Sequence, residues 1–595
     1  MKNVLVETNV HVMEEQMKKY NNGEFRIKNV GEEVELYGWV QRKRNLGGLI
    51  FIDLRDKSGI IQIVVRPEQE FYDLASSFKN ESVIRVVGEI VERESKNKNL
   101  PTGEIEVSVK ELELLTTSED IPFEIVDDTT ALEDTRLKYR YLDIRRNKLK
   151  NNLLLRNDVL HFIRNKMYDL GFIEIQTPIL TASSPEGARD FVVPSRNFKG
   201  KFYALPQAPQ IYKELLMVGG LEKYFQVAPC FRDEDPRADR TLEFYQLDLE
   251  MSFVEEDDVL AVGEDIFYDV FSTFSNKKVS PKPFRRLSFK EAMDKYGTDK
   301  PDLRYEMLIE DITEIFKDTE FSVFQKVLEE KGIINAIVVK NAADKYSRKN
   351  LDELTELVRK RQASGLAFLK YNEEVTGSLA KVLSEKEIEE LRKELKIENN
   401  DLVLIISGAR KIVKPALGAL RVKVATDLDL ADKDRLEMCI VNDFPMFEYD
   451  EANKKWDFCH NPFSMPHGGA KAYEGNLEDI LAYQYDFVCN GNEMASGAIR
   501  NHDLDLLAKG FEIVGYDRAY VENKFKSIFT AFKYGCPPHG GMAPGIDRIL
   551  MLIQDEANLR EVQAFPPSAS GQDLMMGSPS ELEDYQLEEL GIKIA

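Results

Sequence analysis

The hydrophobic pattern changes character several times along the chain. Between residues 30 and 115, short apolar runs alternate with charged or glycine-containing turns. The runs cover residues 33–40, 49–54, 60–65, 82–91 and 104–114. Successive side chains of a strand point to opposite faces, so these runs read as strands. Five of them within so short a stretch predict a small β-barrel. Residues 116–122, TTSEDIP, are polar and turn-rich and open a linker into a helix. From Asn157, the residues Val159, Leu160, Ile163, Met167 and Leu170 recur at helical spacing. Gly171 suits a left-handed cap, and residues 172–178 read as a strand closed by Pro178.

The texture shifts again between residues 285 and 430. Apolar runs at 336–339 and 402–406 alternate there with charged helical stretches such as 384–395. This pattern predicts an α+β insertion with its own core. Apolar strands and glycine-rich turns resume after Arg435, and residues 580–595 read as a polar tail. The expected plan is multidomain α+β. A barrel spans 1–120, a hinge 121–150, a core in two parts 151–284 and 431–565, the insertion 285–430, and a C-terminal extension 566–595. A five-run barrel fits an OB-fold, a type that often binds oligonucleotides on a strand face.

Composition adds boundaries. No run reaches the roughly 20 apolar residues needed to span a bilayer. Residues 1–16 carry acids early and lack a basic end followed by an apolar stretch, so no secretory signal is expected and the chain is expected in the cytoplasm. The five cysteines form no CxxC pair, which argues for buried reduced thiols over a zinc site or disulfides. The net charge of -24 disfavours a nucleic-acid partner as a global sum. Contact is local, however, and residues 136–166 hold ten Lys or Arg against two acids. That run reads either as an RNA-facing surface or as a solvated helix face.

Two constellations carry chemistry. The first runs Cys230-Phe231-Arg232-Asp233-Glu234-Asp235, continues through Arg237, Asp239 and Arg240, and closes on Glu243-Phe244-Tyr245-Gln246-Leu247-Asp248-Leu249-Glu250. As a strand, the last segment puts Phe244, Gln246, Asp248 and Glu250 on one face. A ring, an amide and carboxylates together suit a pocket that stacks a base and binds an ammonium. The arginines of the loop suit phosphates. An exposed, salt-bridged hairpin is the competing reading. The second constellation is Gly540-Gly541-Met542-Ala543-Pro544-Gly545-Ile546-Asp547-Arg548. Its glycines let a ligand approach the backbone. An arginine in the first turn of a helix opposes the helix dipole, so Arg548 is better explained by a ligand. No GK[ST] follows, which rules out a Walker loop.

In this order, these elements resemble the class II aminoacyl-tRNA synthetases. Pro178 resembles the family's motif 1, an element of its dimer interface. Phe231-Arg232-Asp233-Glu234 resembles motif 2 and Gly545-Ile546-Asp547-Arg548 motif 3. The match narrows to the bacterial-type aspartyl-tRNA synthetases. Tyr37-Gly38-Trp39-Val40 and Phe51-Ile52-Asp53-Leu54-Arg55-Asp56 resemble their anticodon-binding barrel. Pro185-Glu186-Gly187-Ala188-Arg189-Asp190 resembles their flipping loop, and Gln207-Ala208-Pro209-Gln210-Ile211-Tyr212-Lys213 their aspartate-recognition segment. Residues 285–430 resemble their GAD insertion.

The resemblance implies an antiparallel-sheet catalytic core and a homodimer with no membrane partner. It implies ATP-dependent activation of L-aspartate and transfer to tRNA-Asp, by attack of the terminal ribose 3′-OH. Glu186, Gln210 and Asp248 would hold the aspartate ammonium, and Lys213, Arg500 and His460 its side-chain carboxylate. Arg232 would contact both aspartate and the α-phosphate. ATP would further meet Asp233, Glu234, Thr241, Glu493, Gly545, Ile546 and Asp547, with its adenine between Phe244 and Arg548. Arg232 and Arg548 are the implied catalytic pair. Asp486 and Glu493 would hold Mg²⁺, a hard ion that takes oxygen ligands. A turn at Asn490-Gly491 would bring these two acids onto paired strands. In the barrel, Phe51 would stack an anticodon base beside Arg44 and Gln62. Phe51 also reads as a core residue, Lys213 as a surface lysine and His460 as a structural histidine.

The sequence departs from the family pattern at Thr241-Leu242, Asn461 and Ala495-Ser496-Gly497-Ala498. Ser496 resembles a serine that joins the metal site in archaeal and eukaryotic relatives. Residues 18–28 also depart, which leaves open an enzyme that charges both tRNA-Asp and tRNA-Asn. Lys213 disfavours an asparaginyl enzyme. A tRNA-independent ligase should lack the barrel, and an inactive RNA-binding module should lack Arg232, Glu493 or Arg548.

Overall fold

A computed structural model describes residues 21–183, 188–451 and 453–594. The chain divides into two compact units, residues 1–135 and 136–595. The expected secretory-signal reading of residues 1–16 lies outside the described residues, as does Glu186 with its neighbours Pro185 and Gly187.

The first unit holds β1 (Glu33–Leu46), β2 (Leu49–Arg55), β3 (Ile60–Val65), β4 (Val83–Glu92) and β5 (Ile105–Thr116). They close into a barrel in the order β1-β2-β3-β5-β4, with β3 and β5 parallel. The period-two pattern turns Val34, Leu36 and Val40 of β1 and Ile50, Ile52 and Leu54 of β2 into the core. Phe51, between two core residues, is half-buried on the opposite face. Arg55 and Glu81 form a buried charged pair in this unit, held by two parallel hydrogen bonds of 3.0 and 2.5 Å. Bidentate pairing of this kind makes burial of the charges tolerable.

The second unit is built on an eight-stranded sheet. In chain order its parts begin with helix α1 (Asn147–Asp169) and β6 (Ile173–Glu174). Then follow α2 (Gln210–Val218), β7 (Lys223–Phe231), β8 (Glu243–Ser252), α3 (Glu256–Phe274) and β9 (Arg285–Ser288). After the insertion, which ends with α4 (Arg410–Asp427), come β10 (Met438–Pro445), β11 (Leu481–Cys489), β12 (Asn492–Ile499), β13 (His539–Pro544) and α5 (Ile546–Gln554). The sheet order is β9-β10-β11-β12-β13-β8-β7-β6. It is antiparallel except at its two ends, where β9 runs parallel to β10 and β6 to β7. Helices α1, α3 and α5 pack Val159, Ile163, Phe267, Phe271 and Ile549 against Leu247, Leu249, Phe487 and Met542 of the sheet. One face of the sheet is therefore core. The other is left for the residues that alternate with Leu247 and Leu249.

The insertion has its own five-stranded sheet, built from residues 310–408, with a core of apolar side chains on each face. Its start differs from the expected residue 285, because Arg285–Ser288 pairs with Met438–Pro445 in the main sheet. Helix α1 begins ten residues before the expected Asn157, since Leu149 and Asn152 are already buried. The expected strand at 172–178 shrinks to Ile173–Glu174. The expected tail contains a short helix, Asp584–Leu590, started by a capping box between Glu583 and Gln586.

The basic run at 136–166 is partly internal. Arg136, Arg140 and Arg146 converge on the fully buried Asp143 at 3.3, 2.8 and 2.7 Å. Arg140 also donates to the carbonyls of Arg560, Gln563 and Ala564. These three arginines therefore anchor the chain rather than offering a solvated helix face. Cys230, Cys439 and Cys489 are buried thiols as expected, but Cys459 and Cys536 are partly exposed.

Candidate active site

The exposed face of the sheet forms the floor of a cavity of about 360 Å³. That size falls in the usual range for small-molecule sites. Strand β8 supplies Phe244, Gln246 and Asp248 to it, as period-two alternation requires. Thirteen of the residues expected at the site line this one cavity: Gln210, Lys213, Arg232, Glu234, Thr241, Phe244, Asp248, His460, Glu493, Arg500, Gly545, Asp547 and Arg548.

Three expected residues do not line it. Ile546 points into the core with no exposed surface, because helix α5 needs it as an apolar anchor at its start. Asp233 turns toward Arg189, with its carboxylate at 3.9 Å and its amide donating to the Arg189 carbonyl. Asp486 is buried on β11 beside the cavity-lining Glu493 and Ser496 of β12. Asp547, although at the wall, is engaged by Arg156 and by the Tyr245 amide at 3.2 Å. Its position near the start of α5 also suits the helix dipole.

At one end lies a buried charge network. Helix α2 carries Gln210, Lys213, Glu214 and Met217 at i, i+3, i+4 and i+7, and all four are buried. Lys213 is only 2% exposed, which excludes the surface-lysine reading. Its Nζ donates to Asp248 at 2.7 Å and lies 3.3 Å from Glu250. Arg500 grips Glu250 with two bonds of 2.9 and 3.1 Å. His539 meets Glu214 at 3.2 Å, and Gln210 donates to the other Glu214 oxygen at 2.7 Å. Gly541 is required here. A Cβ on it would fall 2.3 Å from a Glu250 carboxylate oxygen.

Burial pushes the Asp248 carboxyl up, against the pull of Lys213. Burial also opposes ionisation of Glu250, yet Arg500 and Lys213 hold it below the ordinary glutamate value. Burial alone would lower His539, but Cys536 and Glu214 raise it to about 10. With His539 protonated, three cations face three carboxylates in the network.

The sign of the pH effect follows. The folded pKa of His539 lies above its unfolded value of about 6.5. Its stabilisation is complete below pH ~6.5 and fades as the pH climbs toward about 10. His539→Gln is expected to lower stability by about 3 kcal/mol at pH ~6.5, the cost of orphaning a buried partner. The gap between wild-type and variant melting temperatures should narrow steadily toward pH ~10. A constant gap would refute the assignment.

The other end of the cavity is aromatic and cationic. The Arg232 guanidinium lies over the Phe244 ring at 5.1 Å. Arg548 donates to the Glu493 carbonyl at 2.8 Å, and its guanidinium stands 3.7 Å from Asp239. His460 opens onto the cavity, and desolvation holds its pKa below the usual imidazole value against the opposing pull of Glu493. Strands β11 and β12 join at Asn490-Gly491, both with positive φ, and place Asp486 opposite Ser496 and Val488 opposite Glu493. Asp486 Oδ2 is buried without a hydrogen-bond partner. A buried carboxylate oxygen with no hydrogen bond, beside an accessible glutamate, suits a hard cation whose remaining ligands are phosphates and water.

Sequence reasoning missed Glu214, His539 and Lys300 as members of this site. Glu214 was signalled by its i+4 spacing from Gln210. Nothing local announces the contacts of His539 with Glu214 or of Lys300 with Asp486 and Glu493, because these close over a long sequence distance. In the barrel, Arg44 and Phe51 are register partners on β1 and β2, and Arg44 donates to Gln62 at 3.1 Å and to Asp53 at 2.8 Å. Gln62 is itself buried and donates to Glu106 at 2.6 Å.

Comparison with known proteins gives a consistent result. Residues 132–569 match the family described as tRNA synthetases class II (D, K and N), and residues 34–115 match the OB-fold nucleic acid binding domain. A protein of Phenylobacterium zucineum named aspartate--tRNA(Asp/Asn) ligase is 50% identical, over 96% of this chain and 98% of its own. One of the same name from Zymomonas mobilis is 48% identical, over 97% and 98%. Among solved structures, an asparaginyl-tRNA synthetase of Pyrococcus horikoshii shares the fold with a TM-score of 0.58 at 19% identity, covering 92% of this chain and 98% of its own. A putative aspartyl-tRNA synthetase of Leishmania major does so with a TM-score of 0.57 at 20% identity, covering 91% and 92%. The chain belongs to the class II aminoacyl-tRNA synthetases, and within them to the aspartate--tRNA ligase family.

Proposed function

We propose that the chain activates L-aspartate with ATP and transfers it to both tRNA-Asp and tRNA-Asn. The observation that carries the first half is the shared cavity, with fixed cations at one end and the Phe244, Arg232 and Arg548 cluster at the other. Lys213 and Arg500 receive the aspartate side-chain carboxylate, with His460 at the rim, and Asp248 and Gln210 receive its ammonium. Asparagine brings no negative charge to these two cations and so gains less from the pocket than aspartate does.

Adenine stacks against Phe244, with Arg548 on its other side and Glu234 and Thr241 at its edge. Gly545 leaves the backbone open beside the nucleotide. Arg232 holds the α-phosphate and the aspartate α-carboxylate together. That carboxylate attacks the α-phosphorus and pyrophosphate leaves. Placement and charge neutralisation supply the rate, with no protein base required. A divalent cation such as Mg²⁺, held by Asp486 and Glu493 with Ser496 nearby, would neutralise the phosphates further. The terminal 3′-hydroxyl of tRNA then attacks the mixed anhydride and releases AMP. In the barrel, Phe51 offers a half-exposed ring to an anticodon base, flanked by Arg44 and Gln62.

Two further readings belong to this proposal. Ile173, Ile179 and Leu180 around Pro178 are 45%, 46% and 53% exposed, which supports a homodimer through this region. Buried thiols at Cys230, Cys439 and Cys489, not joined in disulfides, fit the reducing cytoplasm.

Acceptance of both tRNAs is favoured by the relatives named aspartate--tRNA(Asp/Asn) ligase, which match nearly the whole chain. The test is aspartylation of purified tRNA-Asp and tRNA-Asn side by side. Comparable kcat/KM for the two is expected. A preference of more than about a hundredfold for tRNA-Asp, some 2.7 kcal/mol, would confine the enzyme to that one substrate.

A further inference from the structure

The two carboxylates proposed for the metal are not alone. Lys300 reaches them from the loop after residues 289–296, with its Nζ 3.3 Å from Glu493 Oε2 and 3.7 Å from Asp486 Oδ2. Asp299 holds the same ammonium at 2.5 Å. The placement is built into the fold. The loop packs over the β11–β12 turn, where Asp302 lies against Gly491. From α4 of the insertion, the buried Arg421 donates to the carbonyls of Asp302, Glu306 and Met307 at 3.3, 2.9 and 2.7 Å. Its guanidinium is sandwiched by the Tyr296 and Tyr305 rings at 4.9 and 4.6 Å. A loop fixed by a buried arginine with so many carbonyl contacts does not drift.

We infer that Lys300 is a place-holder cation: its ammonium occupies the position between Asp486 and Glu493 that a divalent ion would take, so metal binding to the nucleotide-free enzyme must displace it. This rests on the reading of Asp486 and Glu493 as the metal pair. Two adjacent carboxylates, one fully buried, need a counter-charge. Lys300 provides it from within the chain. Mg²⁺ sits about 2.0–2.1 Å from its oxygen ligands, and two cations sharing the same oxygens at such distances repel strongly. The two are therefore alternatives. The consequence is weak metal affinity until a nucleotide brings phosphate ligands and additional negative charge, so that metal and ATP load together.

The test is Mn²⁺ titration of the nucleotide-free full-length protein, with free Mn²⁺ read by electron paramagnetic resonance. Wild type, Lys300→Met, Lys300→Arg and Glu493→Gln are compared, each checked by thermal melting. Lys300→Met should bind Mn²⁺ about tenfold more tightly than wild type, equivalent to ~1.4 kcal/mol. Lys300→Arg keeps the charge and should stay near wild type. If Lys300→Met does not melt cooperatively, Lys300→Gln serves the same purpose. Affinity in the neutral variant that is unchanged or weaker overturns the place-holder role while leaving the metal pair intact. Glu493→Gln should lose the site, and wild-type affinity there would sink the metal assignment and the inference together.

Discussion

Arg232→Ala is expected to reduce aspartate-dependent ATP–pyrophosphate exchange by at least about a thousandfold, with little change in melting temperature. The side chain lies over Phe244, lines the cavity, and has a buried Nε without a hydrogen-bond partner. It is positioned without being consumed by the fold, the condition expected of a group that awaits a ligand. Fixed cations facing charge that develops on a phosphoryl group act mainly on the chemical step, so kcat should fall more than the KM for ATP rises. Arg548→Ala should behave differently. Its proposed role is to clamp the ring, so the KM for ATP should carry a larger share of the loss. Exchange that survives in both variants at wild-type rates would overturn the assignment of this cavity to the reaction.

Lys213→Met should raise the KM for aspartate about a hundredfold or more, some 2.7 kcal/mol, while the KM for ATP moves little. The side chain is enclosed and bonded to Asp248, so its loss leaves a carboxylate buried without a partner. That orphaning should also destabilise the fold by about 3–5 kcal/mol. The two effects are separable. A second-site loss of stability would lower both substrates' kinetics together, whereas loss of the cation strikes aspartate alone. Discrimination against asparagine should shrink in the same variant, because the pocket no longer rewards a negative side chain. An unaltered aspartate KM in folded Lys213→Met would place the amino-acid pocket elsewhere.

Much of this was legible from the chain because its signals are local. The barrel follows from period-two runs, and β8 declares its two faces by the alternation of Leu247 and Leu249 with Asp248 and Glu250. Gly545 and the first-turn Arg548, singled out by their pattern alone, both line the cavity. What stayed hidden depends on contacts closed across hundreds of residues. Arg500 meets Glu250 over 250 positions, and His539 meets Glu214 over 325. The basic run misled for the same reason, since the acid and carbonyls that internalise Arg140 include groups far along the chain at 560–564. Ile546 was drawn into the site by its neighbours in a motif, although an apolar residue at the first position of a packed helix belongs to the core.

Glu493 touches both halves of the nucleotide machinery. Its backbone carbonyl and one carboxylate oxygen face Arg548, and the other oxygen faces Lys300. On the proposed reading of the site, base recognition and ion capture share this one residue. A change at Glu493 would then reach the base and the ion together, so the two contacts constrain each other at this position.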